Sequence, residues 1–556
     1  MKRNLAFFIV LIFILTIPVV LPYLKSGYFP THDGEWAVVR LADMYRSFKD
    51  LQLPVRYSGY LNSGYGYPLF NFAYPFPYYF ALIPLFLGFG FVGSIKFLFL
   101  ASIPFSVLFM FFLSRKLWKS DLAGLISAVF YLYLPYRFVD LFVRGSIGES
   151  LSFVLFPLLF YLVLKMSESK NKLSLLILSA VSFAVLVLTH NIMTVLFTPL
   201  FLFFALFLIW QKKGNERKML IKSIILVIVI GILLSTFFWF PALFEKNLIK
   251  LSQIPIADRN LYFVSLQKLI LPSWGYAPPT DGNGFSYQIG QPQFIVLLFA
   301  VIHFVSGFVA KLKKTSSDFL ALLFLVETGI ATFFLFKASA FLWKVLPLFS
   351  EINYPWTLLS QIGFLISLLA GFIATSNKNL KYAVLALAVI AVFLHLKYAK
   401  PESYVDRGDD FYVTNDATTT SSDELLPLWV KQKPLERYLQ KVESEDGVQI
   451  SSLVYNSKMT AFHIEAESLA KVKINTIYYP GWKVYANNKE MPINFDNNFG
   501  VIEFQLPKGA YDIKAIFSET LARLLSNVIS LAVFIIIFII MASRKLKKLV
   551  TTLLYG

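Results

Sequence analysis

Long apolar runs, separated by short basic clusters, set the pattern of this chain. A helix that crosses a bilayer needs about 20 apolar residues. The first such run is Leu5 to Leu24, directly after Lys2 and Arg3. It shows neither the shorter apolar core nor the small-residue cleavage site of a removed signal. It therefore reads as a retained helix with the N-terminus in the cytoplasm. Further runs cover 95–114, 121–136, 150–166, 173–190, 192–210, 219–240, 291–310, 318–337, 355–375, 380–398 and 521–541. The basic clusters at Arg115/Lys116/Lys119, Lys165/Lys170/Lys172, Lys212/Lys213/Arg217/Lys218, Lys311/Lys313/Lys314, Lys378/Lys381 and Arg544/Lys545/Lys547/Lys548 belong on the cytoplasmic side. Segments 25–75, 137–149, 241–290, 338–354 and 399–520 then face outside. Twelve spans, with both termini inside, satisfy this arrangement.

Residues 75–93 are also apolar, but a crossing there would put Arg115 to Lys119 outside. The stretch holds Pro75, Pro77, Pro84, Gly88, Gly90 and Gly93, a poor composition for a straight helix. It reads as a juxtamembrane or re-entrant element, with a thirteenth span as the alternative. Beyond residue 400 the apolar runs stop. From Ser451 to Phe517 apolar and polar residues alternate, as in Phe462-His463-Ile464-Glu465-Ala466 and Val501-Ile502-Glu503-Phe504-Gln505-Leu506. This is strand periodicity. Pro480-Gly481, Asn487-Asn488, Asp496-Asn497-Asn498 and Pro507-Lys508-Gly509 mark turns. The expected fold class is mainly α: a polytopic transmembrane bundle of about 12–13 spans with a small extracytoplasmic β-sandwich before the last helix. The expected domains are a membrane core over 1–399 with outer loop 25–75, an outer mostly-β domain over 400–520, and a last helix with a basic cytoplasmic tail over 521–556.

Composition agrees with a multi-pass protein of the cell membrane. Hydrophobic residues make up 57% of the 556, and charged residues only 15%, against roughly 25% in a soluble domain. That excludes a soluble enzyme and a disordered chain. Cysteine is absent, which excludes disulfides, a thiolate nucleophile and Cys-ligated metal. The net charge of +18 could suggest nucleic acid. Because the cations sit between apolar runs, topology explains them and no nucleic-acid partner is expected. No phosphate-binding Gly loop or dinucleotide fingerprint occurs, nor any cytoplasmic domain of nucleotide-sugar-binding size. Substrates would be met from the outer face or from the lipid.

The outer loops hold the candidate chemistry. His32-Asp33-Gly34-Glu35 follows the first span directly, with Arg40 beyond it and Tyr67 and Asn71 later in the loop. A loop this long points to function. A carboxylate at a membrane–water boundary can accept a proton from a hydroxyl nucleophile. Asp33 and Glu35 together could hold a divalent ion, magnesium or manganese, with no cofactor certain. The alternative is ordinary loop charge or a helix N-cap. The second outer loop carries Arg137, Asp140, Arg144 and Glu149. Arg144 could grip a phosphate and Glu149 could be a second acid; the alternative is a structural Arg–Glu pair. His190 lies at the outer boundary between two spans, for substrate or for packing. Glu327 sits mid-span, where acids are costly and default to a functional hypothesis. His303 sits inside another span. Glu351 to Trp356 opens a span and could line the same cavity.

These features in this order resemble the GT-C superfamily of membrane glycosyltransferases. Within it the chain looks most like the YfhO-like, "6-pyruvoyl-tetrahydropterin synthase-related" membrane proteins. The motifs are His32-Asp33-Gly34, Gly64-Tyr65-Gly66-Tyr67-Pro68-Leu69-Phe70-Asn71-Phe72, Arg144-Gly145-Ser146-Ile147-Gly148-Glu149, His190-Asn191 and Tyr479-Pro480-Gly481-Trp482. The label implies no pterin chemistry. The resemblance implies transfer of a sugar from a polyprenyl-phosphate donor on the outer face to a glycan, lipid or protein acceptor. Asp33 would be the catalytic base or orienting acid, and Glu149 a second catalytic acid. His32, Glu35, Arg40, Arg137, Arg144, His190, Tyr67 and Asn71 would bind substrate. Such proteins often show an Arg just after a Pro-Trp pair, whereas Pro355-Trp356-Thr357 stands here. Arg144, Arg137 or Arg40 would then substitute for it. Two other classes remain: a non-catalytic lipid-glycan binding or assembly factor, and a transporter or flippase of lipid-linked intermediates. The transporter class would centre on Glu327 and His303. Against it, polar residues gather in outer loops and not at the midplane.

Overall fold

The computed structural model describes residues 2–555 apart from 170–171, 254–256, 280–283, 311–314, 347–348, 350–351, 421 and 446–447. Glu351, one of the sequence candidates, lies outside the described residues. Helix α1 (Lys2–Leu24) leads into a loop that carries α2 (Gly34–Lys49) and the short α3 (Phe76–Phe86). The bundle continues with α4 (Gly90–Trp118), then α5 (Asp121–Leu132) and α6 (Pro135–Arg144), bent by 51°. Next come α7 (Ile147–Glu168), α8 (Lys172–Thr189), α9 (Asn191–Trp210), α10 (Gly214–Phe244), α11 (Gln291–Val309) and α12 (Ser316–Leu335). Helices α13 (Pro355–Ser376) and α14 (Lys378–Tyr398) complete the core. After the β domain follow α15 (Leu521–Ala542) and α16 (Arg544–Tyr555). Among the described residues eleven helices are long and apolar enough to cross a membrane, or twelve if the bent pair counts as one span.

Helix α3 is the one element that lies wholly within the segment 75–93. At 11 residues and 1.5 Å per residue, it reaches about half the ~30 Å of a hydrocarbon core. Helix α4 then starts at Gly90, earlier than the apolar run at 95 suggested. Helix α13 is the axis of the bundle, with residues 355–374 all buried. Two glycines make that close packing fit. A Cβ at Gly363 would strike the Leu134 side chain, and one at Gly371 would strike the hydroxyls of Ser114 and Ser127.

The β domain holds two antiparallel sheets, of order β1-β4-β7 and β2-β3-β8-β5-β6. Their strands are β1 (Val442–Ser444), β2 (Val448–Tyr455), β3 (Met459–Ala466), β4 (Ala470–Ile477), β5 (Trp482–Ala486), β6 (Lys489–Met491), β7 (Val501–Leu506) and β8 (Gly509–Phe517). The alternating segments in the sequence are all strands. Asn487 and Asn488, at φ +48° and +66°, form the two-residue hairpin loop between β5 and β6, the conformation such turns favour in Asn.

Buried polar contacts lock this domain to the bundle. Glu245, at the end of α10, meets Arg523 of α15 at 2.7 Å. It also accepts from Asn71 Nδ2 at 2.9 Å and from Tyr479 Oη at 3.0 Å. Arg56 of the first loop pairs with Glu519 at 3.2 Å. Removing one partner of a buried ion pair costs ~3–5 kcal/mol. Arg523→Met should therefore lower detergent thermal stability sharply, and Arg523→Met with Glu245→Gln, which removes the charge but keeps an acceptor for Asn71 and Tyr479, should recover most of the loss. A double variant no more stable than the single would contradict this account.

Helix α2 turns one face onto the bundle and buries Asp43 with it. Neither Asp43 carboxylate oxygen has a hydrogen-bond partner. Burial pushes its pKa up to about 7, and the nearby Ser58 and Arg46 offset this only in part. The folded state thus favours the protonated carboxyl, so ionisation opposes folding. This contribution weakens stability as pH rises from about 4, the unfolded value, towards about 7, and is constant above. Asp43→Asn should gain stability over wild type across that window. A difference between the two proteins that does not change with pH would contradict the prediction.

Candidate active site at the loop ends of the helices

The loop ends of α1, α6, α8 and the 245–290 segment converge around Asp33. Asp33 N–H donates to Arg144 O at 2.7 Å, and His32 N–H to Val143 O at 3.0 Å. The first loop is thereby laid along the end of α6. Gly145 permits the approach with φ +64°; a Cβ there would collide with the Thr31 hydroxyl. Asp33 occupies the N-cap position of α2 yet makes no side-chain cap bond, so its carboxylate is left for other work. Its side chain is 55% exposed, and Oδ2 lies 3.9 Å from Arg144 Nη2.

Arg144 is the hub of the site. Its guanidinium lies 4.7 Å over the Trp356 ring. Nη1 donates to Glu149 Oε2, and Tyr136 Oη donates to Glu149 Oε1 at 2.8 Å. Glu149 is fully buried behind it, so its carboxylate holds Arg144 and does not reach the cleft. Among the three arginines the sequence offered as substitutes after Trp356, Arg144 stacks on that ring.

A cleft of about 170 Å³ opens here, lined by His32, Asp33, Trp36, Arg40, Arg144 and His190, with Tyr74, Tyr78, Thr419 and Glu424 completing its walls. This is smaller than the ~300–1,000 Å³ of a drug-sized pocket, room for one small polar ring or group. His190 stacks on Tyr74 with centroids 5.1 Å apart. Its Nδ1 accepts from Met193 N–H at 3.4 Å, which assigns the ring proton to Nε2. Burial, together with the Arg144 cation, lowers its pKa to about 3. His190 is therefore a neutral donor at physiological pH. His32 Nε2 bonds Tyr276 O at 3.0 Å and ties the first loop to the 245–290 segment. Arg40 Nε donates to Thr419 Oγ1 at 2.9 Å and its Nη2 to Thr419 O.

Other sequence candidates fall elsewhere. Arg137 is buried, paired with Asp140 at 3.2 Å and stacked on Phe153. Asn71 serves the Glu245 network. Tyr67 is buried and bonds Thr419, acting on the cleft only through that residue. Glu35 turns away to Arg407 at 3.0 Å. Asp33 lines the cleft described above, and Glu35 does not. Among the described residues no group of three or more His, Asp or Glu could hold a metal ion. Glu327 is buried in α12 with neither oxygen hydrogen-bonded. His303 pairs with Asp318 at 3.4 Å. His303 and Asp318 line a larger cavity, about 660 Å³, at the opposite, basic end of the bundle. That cavity is walled mostly by rings, hydroxyls and a single acid. Sequence reasoning missed Trp36, Tyr74, Tyr78 and the wall of Thr419, Thr420 and Glu424. Only the polar run Thr418-Thr419-Thr420 hinted at the last.

The chain belongs to the family described as "6-pyruvoyl-tetrahydropterin synthase related domain; membrane protein", which matches residues 70–400, more than half of its length. It is 28% identical over 248 residues to an uncharacterized protein of Lactococcus lactis subsp. cremoris (strain MG1363), covering 44% of this chain and 40% of that relative. Similar solved structures include three enzymes of glycosyl transfer. The arabinofuranosyltransferase AftD from Mycobacteria has a TM-score of 0.47 at 14% identity, over 73% of this chain and 28% of AftD. The Archaeoglobus fulgidus oligosaccharyltransferase in its apo form has a TM-score of 0.45 at 11% identity, over 78% of this chain and 62% of that one. The AglB oligosaccharyltransferase of the same organism, in complex with an inhibitory peptide and a dolichol-phosphate, has a TM-score of 0.43 at 12% identity, over 79% of this chain and 62% of that one. The chain spans less than two thirds of each of these four proteins.

Proposed function

We propose that this protein is an inverting glycosyltransferase. It takes a sugar from a polyprenyl-phosphate donor and attaches it to a hydroxyl acceptor at the outer face of the membrane. The observation that carries the reading is the pairing of a free, half-exposed carboxylate with a preorganised cation in one cleft: Asp33 beside Arg144. Asp33 orients the acceptor hydroxyl and takes its proton as the oxygen attacks the anomeric carbon. The bond from that carbon to the phosphate oxygen breaks, and charge grows on the departing lipid phosphate. Arg144, with Arg40 across the cleft, stabilises that charge. Glu149 holds Arg144 in position, and neutral His190 donates to a substrate oxygen. The acceptor is a glycan, lipid or protein hydroxyl, and the outer β domain presents it. The positive-inside pattern supports cytoplasmic termini and an outer location for the cleft and for 400–520.

The lipid-phosphate part is tested by thermal unfolding in detergent with added polyprenyl phosphate. Wild type should be stabilised in a saturable way, and the Arg144→Gln, Glu149→Gln double variant should not. Equal stabilisation of both would remove Arg144 from the phosphate role.

A further inference from the structure

We propose that α16 is a docking surface for the anionic headgroups of the bilayer leaflet it meets, and that it seats the end of the chain on the membrane. Helix α15 ends at Ala542, and only Ser543 separates it from α16. The helix therefore begins at the membrane boundary. At 100° per residue, Leu546, Leu549, Val550, Leu553 and Leu554 fall on one arc. Arg544, Lys545, Lys547 and Lys548 fall on the rest, with Thr551 and Thr552.

The apolar arc is divided between two environments. Val550 and Leu554 pack against the bundle, where α16 contacts α8. Leu549 and Leu553 are 55% and 71% exposed. Helix α16 thus lies back against the bundle, with one apolar edge free. Leucines in that position at the end of a membrane span meet lipid. A helix with leucines on one edge and lysines on the flanks sits in the plane of the interface. The four cations match an anionic lipid surface, which attracts basic residues near a span. This surface lies at the end of the bundle opposite the Asp33 cleft, so it is independent of the transfer reaction.

The chain has no cysteine, which makes a site-specific probe clean. Full-length Leu553→Cys and Thr552→Cys proteins would carry an environment-sensitive fluorophore. Each would be placed in vesicles of phosphatidylcholine alone, or of phosphatidylcholine with phosphatidylglycerol, containing a lipid-borne quencher. In the mixed vesicles the probe at 553, on the apolar edge, should be quenched severalfold more than the probe at 552, on the polar face. The ratio should fall towards one without the anionic lipid, and also in the Lys545→Glu, Lys547→Glu, Lys548→Glu variant. Equal quenching at the two positions would overturn the proposal. So would a ratio that ignores anionic lipid, or a probe at 553 shielded from both lipid and aqueous quenchers, which would mark a second copy or another protein as the occupant.

Discussion

Asp33→Asn is expected to abolish sugar transfer while leaving the fold intact. A positioned general base contributes about 10²–10⁴-fold, and loss of the proton acceptor should remove that whole factor from kcat. The structure explains why folding should not suffer. The carboxylate makes no cap bond and is half-exposed. The backbone N–H that ties Asp33 to Arg144 O survives the substitution. Asn keeps the shape and hydrogen-bonding reach of Asp, so donor binding should also survive. The separating readout is kcat against KM: kcat falls and KM holds. Turnover by the Asp33→Asn variant at the wild-type rate would remove Asp33 from the mechanism.

Arg144→Ala should damage both activity and stability, through two different atoms. Under the proposed mechanism, loss of the cation facing the cleft should remove stabilisation of the departing phosphate, worth about 10²–10³ in kcat for a single preorganised group. Loss of its contact with Glu149 leaves a fully buried carboxylate beside Tyr136 alone. Stripping a buried pair of one partner costs ~3–5 kcal/mol. A double variant separates the effects. Arg144→Met with Glu149→Gln removes both charges, so thermal stability should recover most of the way while transfer stays at the Arg144→Ala level. Activity that returned with stability would assign Arg144 a purely structural role.

How much of this was legible in the sequence follows from the range of the interactions. The spans were legible because bilayer thickness imposes about 20 apolar residues wherever the chain crosses, and the strands because side chains alternate across a sheet. Asp33 and Arg144 were legible as charges flanked by spans. Their different surroundings were not. Residues 137 and 144 are seven apart, which on a regular helix is one face. The residues Val139–Arg144 form a π-helical turn, which shifts the phase. Arg137 therefore turns into the bundle and Arg144 into the cleft. Glu35 looked like a partner of Asp33 because the two are close in sequence, but its cation, Arg407, is 372 residues away. Asn71 and Glu245 meet across 174 residues, and Arg40 and Thr419 across 379. Local pattern holds no record of such pairings. The C-terminal segment read as a basic tail because its 12-residue helix is too short to register as a span.

The most direct test of the central claim is the release of polyprenyl phosphate from radiolabelled polyprenyl-phosphate sugars by purified wild type and Asp33→Asn in parallel. The account predicts donor consumption with inversion at the anomeric carbon by wild type alone. Saturable donor binding with no turnover by either protein would contradict it and leave a non-catalytic binding factor in its place.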